Sequence, residues 1–177
     1  MTHRPPTKNR ETMPPQRRPN AGDSILFLSI SLIGAALDLW SKYAVFHWLE
    51  GTLSQQYTLI NGFLRFIIAE NPGAAFSLFS GMRWMFVGVS MIALIVINTL
   101  FVLGKLTPRL TLAAMGCIHA GVIGNLYDRL FNEGRVRDFI DVYVGSYHWP
   151  TFNVADSLLC IGVGILLITG LTSSDKH

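Results

Sequence analysis

Residues 84–104 read WMFVGVSMIALIVINTLFVLG. The stretch carries no charged side chain, and it matches the roughly 20 helical residues needed to cross a hydrocarbon core. It therefore reads as a membrane span rather than as the buried helix of a soluble domain. Three more apolar blocks lie around it, at 24–43, 110–127 and 154–171, the last of them short for a crossing. Half of the 177 residues are hydrophobic and 14% are charged, against roughly 25% charged in a soluble domain. The fold class predicted is a mainly α, polytopic membrane protein with four transmembrane helices.

Residues 1–23 place Pro5, Pro6, Pro14, Pro15 and Pro19 among Arg4, Lys8, Arg10, Arg17 and Arg18, with little to bury, and they read as a flexible basic tail. The membrane domain is expected over 24–173, with a short end at 174–177. A basic segment before an apolar block also has the outline of a cleaved leader. No convincing small-x-small cleavage site follows before Asp38, however, so the block reads as a span. Positive residues sort to one side. The tail, Lys105 with Arg109, and Lys176 hold eight, whereas the other two connections hold Arg65, Arg83, Arg129, Arg135 and Arg137. Both termini are thus expected in the cytoplasm, with the tail drawn to anionic membrane lipids. A net charge of +3 is too mild to imply a nucleic-acid partner. Cys117 and Cys160 fall inside apolar blocks, where they read as buried, inert thiols without metal-ligand spacing.

The two outward connections are too long to be plain loops. In the first, the outer region at about 46–80, Tyr57–Ile60, then Asn61-Gly62, then Phe63–Ala69 predicts a hairpin with a type I′ turn. A small extracytoplasmic sheet follows from it. In the second, 137–149 mixes acids with Phe139, Ile140, Val142, Tyr143, Tyr147 and Trp149, as expected of an interfacial segment. Such a segment, with Gly145 inside it, is expected to move when substrate enters.

Ionisable groups near a span are costly and so mark candidate sites. Five carboxylates gather towards the outer leaflet: Asp38, Asp128, Asp138, Asp141 and Asp156. Several also have a structural reading. Asp38 and Lys42, at i and i+4, form an intrahelical ion pair or take part in chemistry. Asp128 pairs with Arg129 or contacts substrate. Asn153 is the N-cap of the fourth span with Asp156 in its first turn, and Asp138 solvates an interfacial segment. Cys117 and His119, two apart on a helix, cannot form a thiolate pair, and His119 reads as an interhelical bonding residue. With no nucleophile, zinc or phosphate-loop motif present, carboxylates remain to activate water. Intramembrane Asp, Lys and Asn also suit a proton-coupled transporter or a noncatalytic scaffold, although transporter sites sit near the midplane and often within inverted repeats.

Five blocks then resemble the lipoprotein signal peptidase (signal peptidase II) family, in its order: Asp38-Leu-Trp-Ser-Lys42, Asn71-Pro-Gly-Ala-Ala-Phe-Ser77, Gly121-Val-Ile-Gly-Asn-Leu-Tyr-Asp-Arg129, Val136-Arg-Asp-Phe-Ile-Asp141 and Phe152-Asn-Val-Ala-Asp-Ser157. The resemblance spans about 23–171 and departs at Ala120, where the family usually has glycine. It implies an aspartic endopeptidase with Asp138 and Asp156 as the catalytic pair and Asp141 as a bystander. Asn71, Asn125, Arg129 and Asn153 would line the substrate site, and Asp38 and Lys42 would support it. Asp128, Gly121, Gly124 and Ala155 are carried over as further support. The implied substrates are diacylglyceryl prolipoproteins, cut before the lipidated lipobox Cys, and globomycin-type inhibitors are implied ligands. No metal or cofactor is implied. Gly73, Ala74 and Ala75 would leave room for the peptide.

Overall fold

The computed structural model describes residues 18–73 and 81–174. Four helices, α1 (Ala21–Glu50), α2 (Arg83–Val102), α3 (Arg109–Phe131) and α4 (Val154–Ser174), are each long and apolar enough to cross a membrane. Between them run β1 (Gln56–Ile60), β2 (Leu64–Asn71), β3 (Val136–Val144) and β4 (Tyr147–His148). Ala74 and Ala75, with most of the tail, lie outside the described residues.

Helix α1 begins and ends beyond the predicted block at 24–43. Asn20 accepts from the Asp23 backbone N–H at 2.8 Å while Asp23 accepts from that of Asn20 at 3.2 Å. This capping box satisfies two free amides and starts the helix inside what reads as tail. At the other end Phe46 and Leu49 are buried, so the helix continues over residues assigned to the outer connection and stops at Gly51.

Helix α3 lies in the middle, against α1, α2 and α4. Small residues make these contacts close. Gly34 of α1 faces Ala120 Cβ, and Gly116 lies against Ile30 and the Phe27 carbonyl. A Cβ at Gly121 would come within 2.5 Å of the Ala155 carbonyl oxygen and 2.7 Å of Leu159. Because one of those neighbours is backbone, Gly121→Ala must displace α4. A loss of about 1–3 kcal/mol is expected, read as a lower melting temperature in detergent. By contrast α2 buries only Ile97 among its described residues, and it turns Ile92, Ile95 and Val96 outward along with Leu32 and Ile33 of α1. In a bilayer these faces meet acyl chains. His119 does bond between helices, its Nε2 lying 3.2 Å from Asn98 Nδ2 of α2.

The strands form one antiparallel sheet in the order β1-β2-β3-β4. The predicted hairpin is present, but its turn is not type I′. Gly62 has φ +75° while Asn61 keeps a negative φ, and type I′ needs both residues positive. Ile60 pairs with Leu64, which leaves three residues in the loop. The segment expected at the interface is instead strand over 136–144. It pairs with β2 on one edge and with β4 and Phe152 on the other. Its β-branched and aromatic residues favour that state, and Phe139 meets Phe66 edge-on at 5.6 Å. The part outside the strands is thereby reduced to the residues around Gly145 and to 149–151, where Trp149 still donates its backbone N–H to the Val142 carbonyl at 2.9 Å.

Candidate active site

One face near the C-terminal end of α3 carries Gly121, Gly124, Asn125 and Asp128, all buried. Their i, i+3, i+4, i+7 spacing puts them on a single stripe, aimed at the C-terminal half of α1 and the N-terminal end of α4. Gly124 has no side chain where α1, α3 and α4 meet, and a Cβ there would collide with the Asp38 carboxylate. Through that gap Asp38 Oδ1 accepts the Ala155 backbone N–H at 2.8 Å, one of the amides the first turn of α4 leaves free. Asp38 also pairs with Lys42 at 2.7 Å, as the i, i+4 reading expects, with both side chains fully buried.

Asp128 does not pair with Arg129. Adjacent residues on a helix point in different directions. Asp128 Oδ1 instead accepts from Arg137 Nη2 at 2.6 Å and Nε at 3.1 Å, and Oδ2 accepts from the Arg137 backbone N–H at 3.0 Å and lies 3.2 Å from Lys42 Nζ. Arg129 reaches the Gly73 carbonyl at 3.2 Å and lies over the Phe86 ring at 4.8 Å. Asp141, read as an interfacial acid, is buried. It accepts from Arg65 Nε at 2.6 Å and faces His148 Nδ1 at 2.9 Å. Burial pushes its carboxyl up, but the His148 and Arg65 hydrogen bonds and charges outweigh it and hold the group below its usual range.

Asp138 and Asp156 arrive from different elements, the first on β3 and the second in the first turn of α4. Asn153 caps that helix in the predicted way: its Oδ1 accepts the Asp156 N–H at 2.9 Å while Asp156 Oδ2 accepts the Asn153 N–H at 3.3 Å. The same Asn153 donates from Nδ2 to Asp138 Oδ1 at 2.6 Å, so one residue holds both carboxyl groups, Asp138 through its side chain and Asp156 through its backbone N–H. Asn71 Nδ2 donates to Asp138 Oδ2 at 3.2 Å, and Asn125 Nδ2 donates to Asp156 Oδ1 at 2.7 Å. Burial pushes Asp138 up and the Asp156 charge pushes it further. The hydrogen bonds from Asn71 and Asn153 and the Lys42 charge oppose this, and the carboxyl settles at about 7.

Both acids open on one cavity of about 620 Å³. Asn71, Asn125 and Arg129 line its polar side, while Trp149 and Phe152, just before α4, and Leu159 and Ile161 on it line an apolar side. Cys160, read from the sequence as buried, is exposed and also lines it. The arrangement has two carboxyl groups, one of them able to hold a proton at neutral pH, at the wall of an apolar cleft. It can supply a base and an acid to a bound polar bond.

The family model described as signal peptidase (SPase) II matches residues 30–172. The chain belongs to that family. It is therefore a multi-pass membrane peptidase of the signal peptidase II type, which sets aside the transporter and scaffold readings. Relatives named lipoprotein signal peptidase include one from Francisella tularensis subsp. novicida, 37% identical over 155 residues that cover 85% of this chain and 94% of the relative. Another, from Halalkalibacterium halodurans, is 35% identical and covers 86% and 96%. A solved bacterial membrane enzyme superposes with a TM-score of 0.75 at 30% identity, covering 85% of this chain and 91% of its own. A second gives 0.72 at 31%, covering 88% and 97%.

Within this signal peptidase II fold, sequence reasoning missed Arg137 as the partner of Asp128. It also missed Arg65 and His148 as the partners of Asp141, and Phe86 beneath Arg129. Arg137 stands inside the Val136–Asp141 block, so a strand assignment there would have turned it to the opposite side from Asp138. Nothing in the sequence singles out His148.

Proposed function

We propose that this chain is an aspartic endopeptidase that removes signal peptides from diacylglyceryl-modified prolipoproteins, cutting before the lipidated lipobox Cys, with Asp138 and Asp156 as its reacting groups. The observation that carries this reading is the joining of the two carboxyl groups by Asn153 at the wall of one cavity. A carboxyl at about 7 beside a second carboxyl suits a pair that shares one proton. Asp138 then serves as the acid and Asp156 as the base.

Asp156 removes a proton from water as the water oxygen attacks the scissile carbonyl carbon. Asp138 donates a hydrogen bond to the carbonyl oxygen as it gains negative charge. Collapse of the tetrahedral intermediate re-forms the carbonyl and breaks the C–N bond as Asp138 passes its proton to the leaving amine, leaving Asp156 with the proton taken from water. The products are a signal peptide with a new carboxylate and a lipoprotein with a free α-amino group on its lipidated cysteine. The apolar wall along α4 suits the acyl chains and the signal peptide, and the sheet supports the peptide from outside. Both termini lie in the cytoplasm and the site lies near the outer leaflet.

The pH profile tests this assignment. Asp138 is protonated below about 7 and loses its proton as the pH rises through that value. With Asp138 as the acid, kcat/KM on a lipidated precursor falls tenfold per pH unit above that point. A rate that stays flat from pH 6 to 9 would remove Asp138 from that role.

A further inference from the structure

Lys42 makes no contact with either reacting carboxyl among its described bonds, yet its ammonium is buried directly behind them. It meets Asp38 Oδ2 at 2.7 Å, Asp128 Oδ2 at 3.2 Å and Asn125 Oδ1 at 3.1 Å. Asp128 has a second cation in Arg137, so charge balance leaves the contact with Asn125 unexplained. A lysine ammonium has donors and no acceptor. Whichever end of the Asn125 amide faces it must be the oxygen, and the same oxygen accepts Asn153 Nδ2 at 3.2 Å. The Asn125 NH2 is thereby turned onto Asp156 Oδ1. Reversing the amide would set NH2 against two donors and its carbonyl against a carboxylate.

We infer that Lys42 is a positioning residue for the reaction: by holding Asn125 Oδ1 it fixes an N–H on Asp156 and aims that carboxyl at the attacking water. The inference rests on the reading of Asp156 as the base. Asn125 holds one Asp156 oxygen and the Asn153 backbone N–H holds the other, so the carboxyl plane is set from two sides. Loss of the first hold leaves it free to turn, and a small misplacement of a reacting group costs on the order of 100-fold in rate.

Removing Lys42 alone strands a buried Asp38, so the test uses the charge-compensated pair Asp38→Asn/Lys42→Met against Asp38→Asn alone. Asp156 faces Asp138 on β3 and Arg129 on α3, which stay the same in both, but the pair also removes the Lys42 charge that acts on Asp138, so kcat is compared at the pH optimum of each protein. On monodisperse protein the pair is expected to lose about 100-fold in kcat relative to the single variant, with KM within about twofold and a displaced pH optimum. Equal kcat in the two proteins, each at its own pH optimum, would overturn the inference. Should the pair not fold, Asn125→Asp keeps an oxygen for Lys42 but offers Asp156 no N–H. It is expected to show the same kcat loss and pH displacement, and a wild-type kcat in it would overturn the inference. An inactive wild type would instead defeat the peptidase reading on which the inference stands.

Discussion

Asp138→Asn is expected to give a folded protein that cleaves lipidated precursor at least about 1,000-fold more slowly than wild type and that gains thermal stability, relative to wild type, as the pH rises from 5 to 8. The first effect follows because an amide can donate to the carbonyl oxygen but has no proton to give the leaving amine. Asp156→Asn should lose as much, since it removes the group that accepts the proton from water. The second effect follows from linkage. Asp138 is 2% exposed, and its carboxyl is raised from 3.8 to about 7 on folding. Between those values the folded chain binds a proton that the unfolded chain has released, so wild-type stability is full below about 4 and falls as the pH rises, levelling off above about 7. The gap corresponds to about 4 kcal/mol. Asparagine does not titrate and escapes this loss. The difference in melting temperature between variant and wild type should therefore increase across pH 5 to 8; a difference independent of pH would contradict the raised carboxyl.

Lys42→Met should have the largest effect on folding. Lys42, Asp38 and Asp128 are all fully buried, and the ammonium touches both carboxylates. Without it Asp128 keeps Arg137, but Asp38 is left with a single hydrogen bond from the Ala155 N–H. Breaking one partner out of a buried ion pair costs about 3–5 kcal/mol, enough to abolish accumulation of a marginally stable protein. Adding Asp38→Asn removes the stranded charge, and most of the loss should return. A double-mutant cycle read by melting temperature in detergent measures this. If the two losses simply add, the pair is not coupled, and the buried charges are held in some other way.

The sequence carried the spans because apolar run length is a direct membrane signal, and 84–104 has no competing reading. It carried the Asn153–Asp156 cap and the Asp38–Lys42 pair because both are local, set by i+3 and i+4 geometry. It did not carry the Asp128–Arg137 pair, which depends on the strand register that brings β3 under α3. Strand β3 was itself hard to read. Asp138 and Asp141, three apart and so on opposite faces of the strand, are both buried, and with acids at buried positions on each face the apolar alternation expected of a half-buried strand is lost at the residues that matter most. Local rules likewise missed the far end of α1, because Trp48 and Leu49 suit a loop beside the membrane as well as a helix. Physical reasoning on residues alone reached a group of carboxylates near one leaflet. The choice of Asp138 and Asp156 came from resemblance, and the geometry of Asn153 supplies a physical reason for it.

The most direct test is cleavage of a purified diacylglyceryl prolipoprotein in detergent, with the products identified by mass spectrometry, using wild type, Asp138→Asn and Asp156→Asn. The account predicts that wild type cuts once, immediately before the lipidated cysteine, and that both variants stay monodisperse and leave the precursor intact. Cleavage by either variant at near the wild-type rate, or an intact precursor after incubation with wild type, would contradict it.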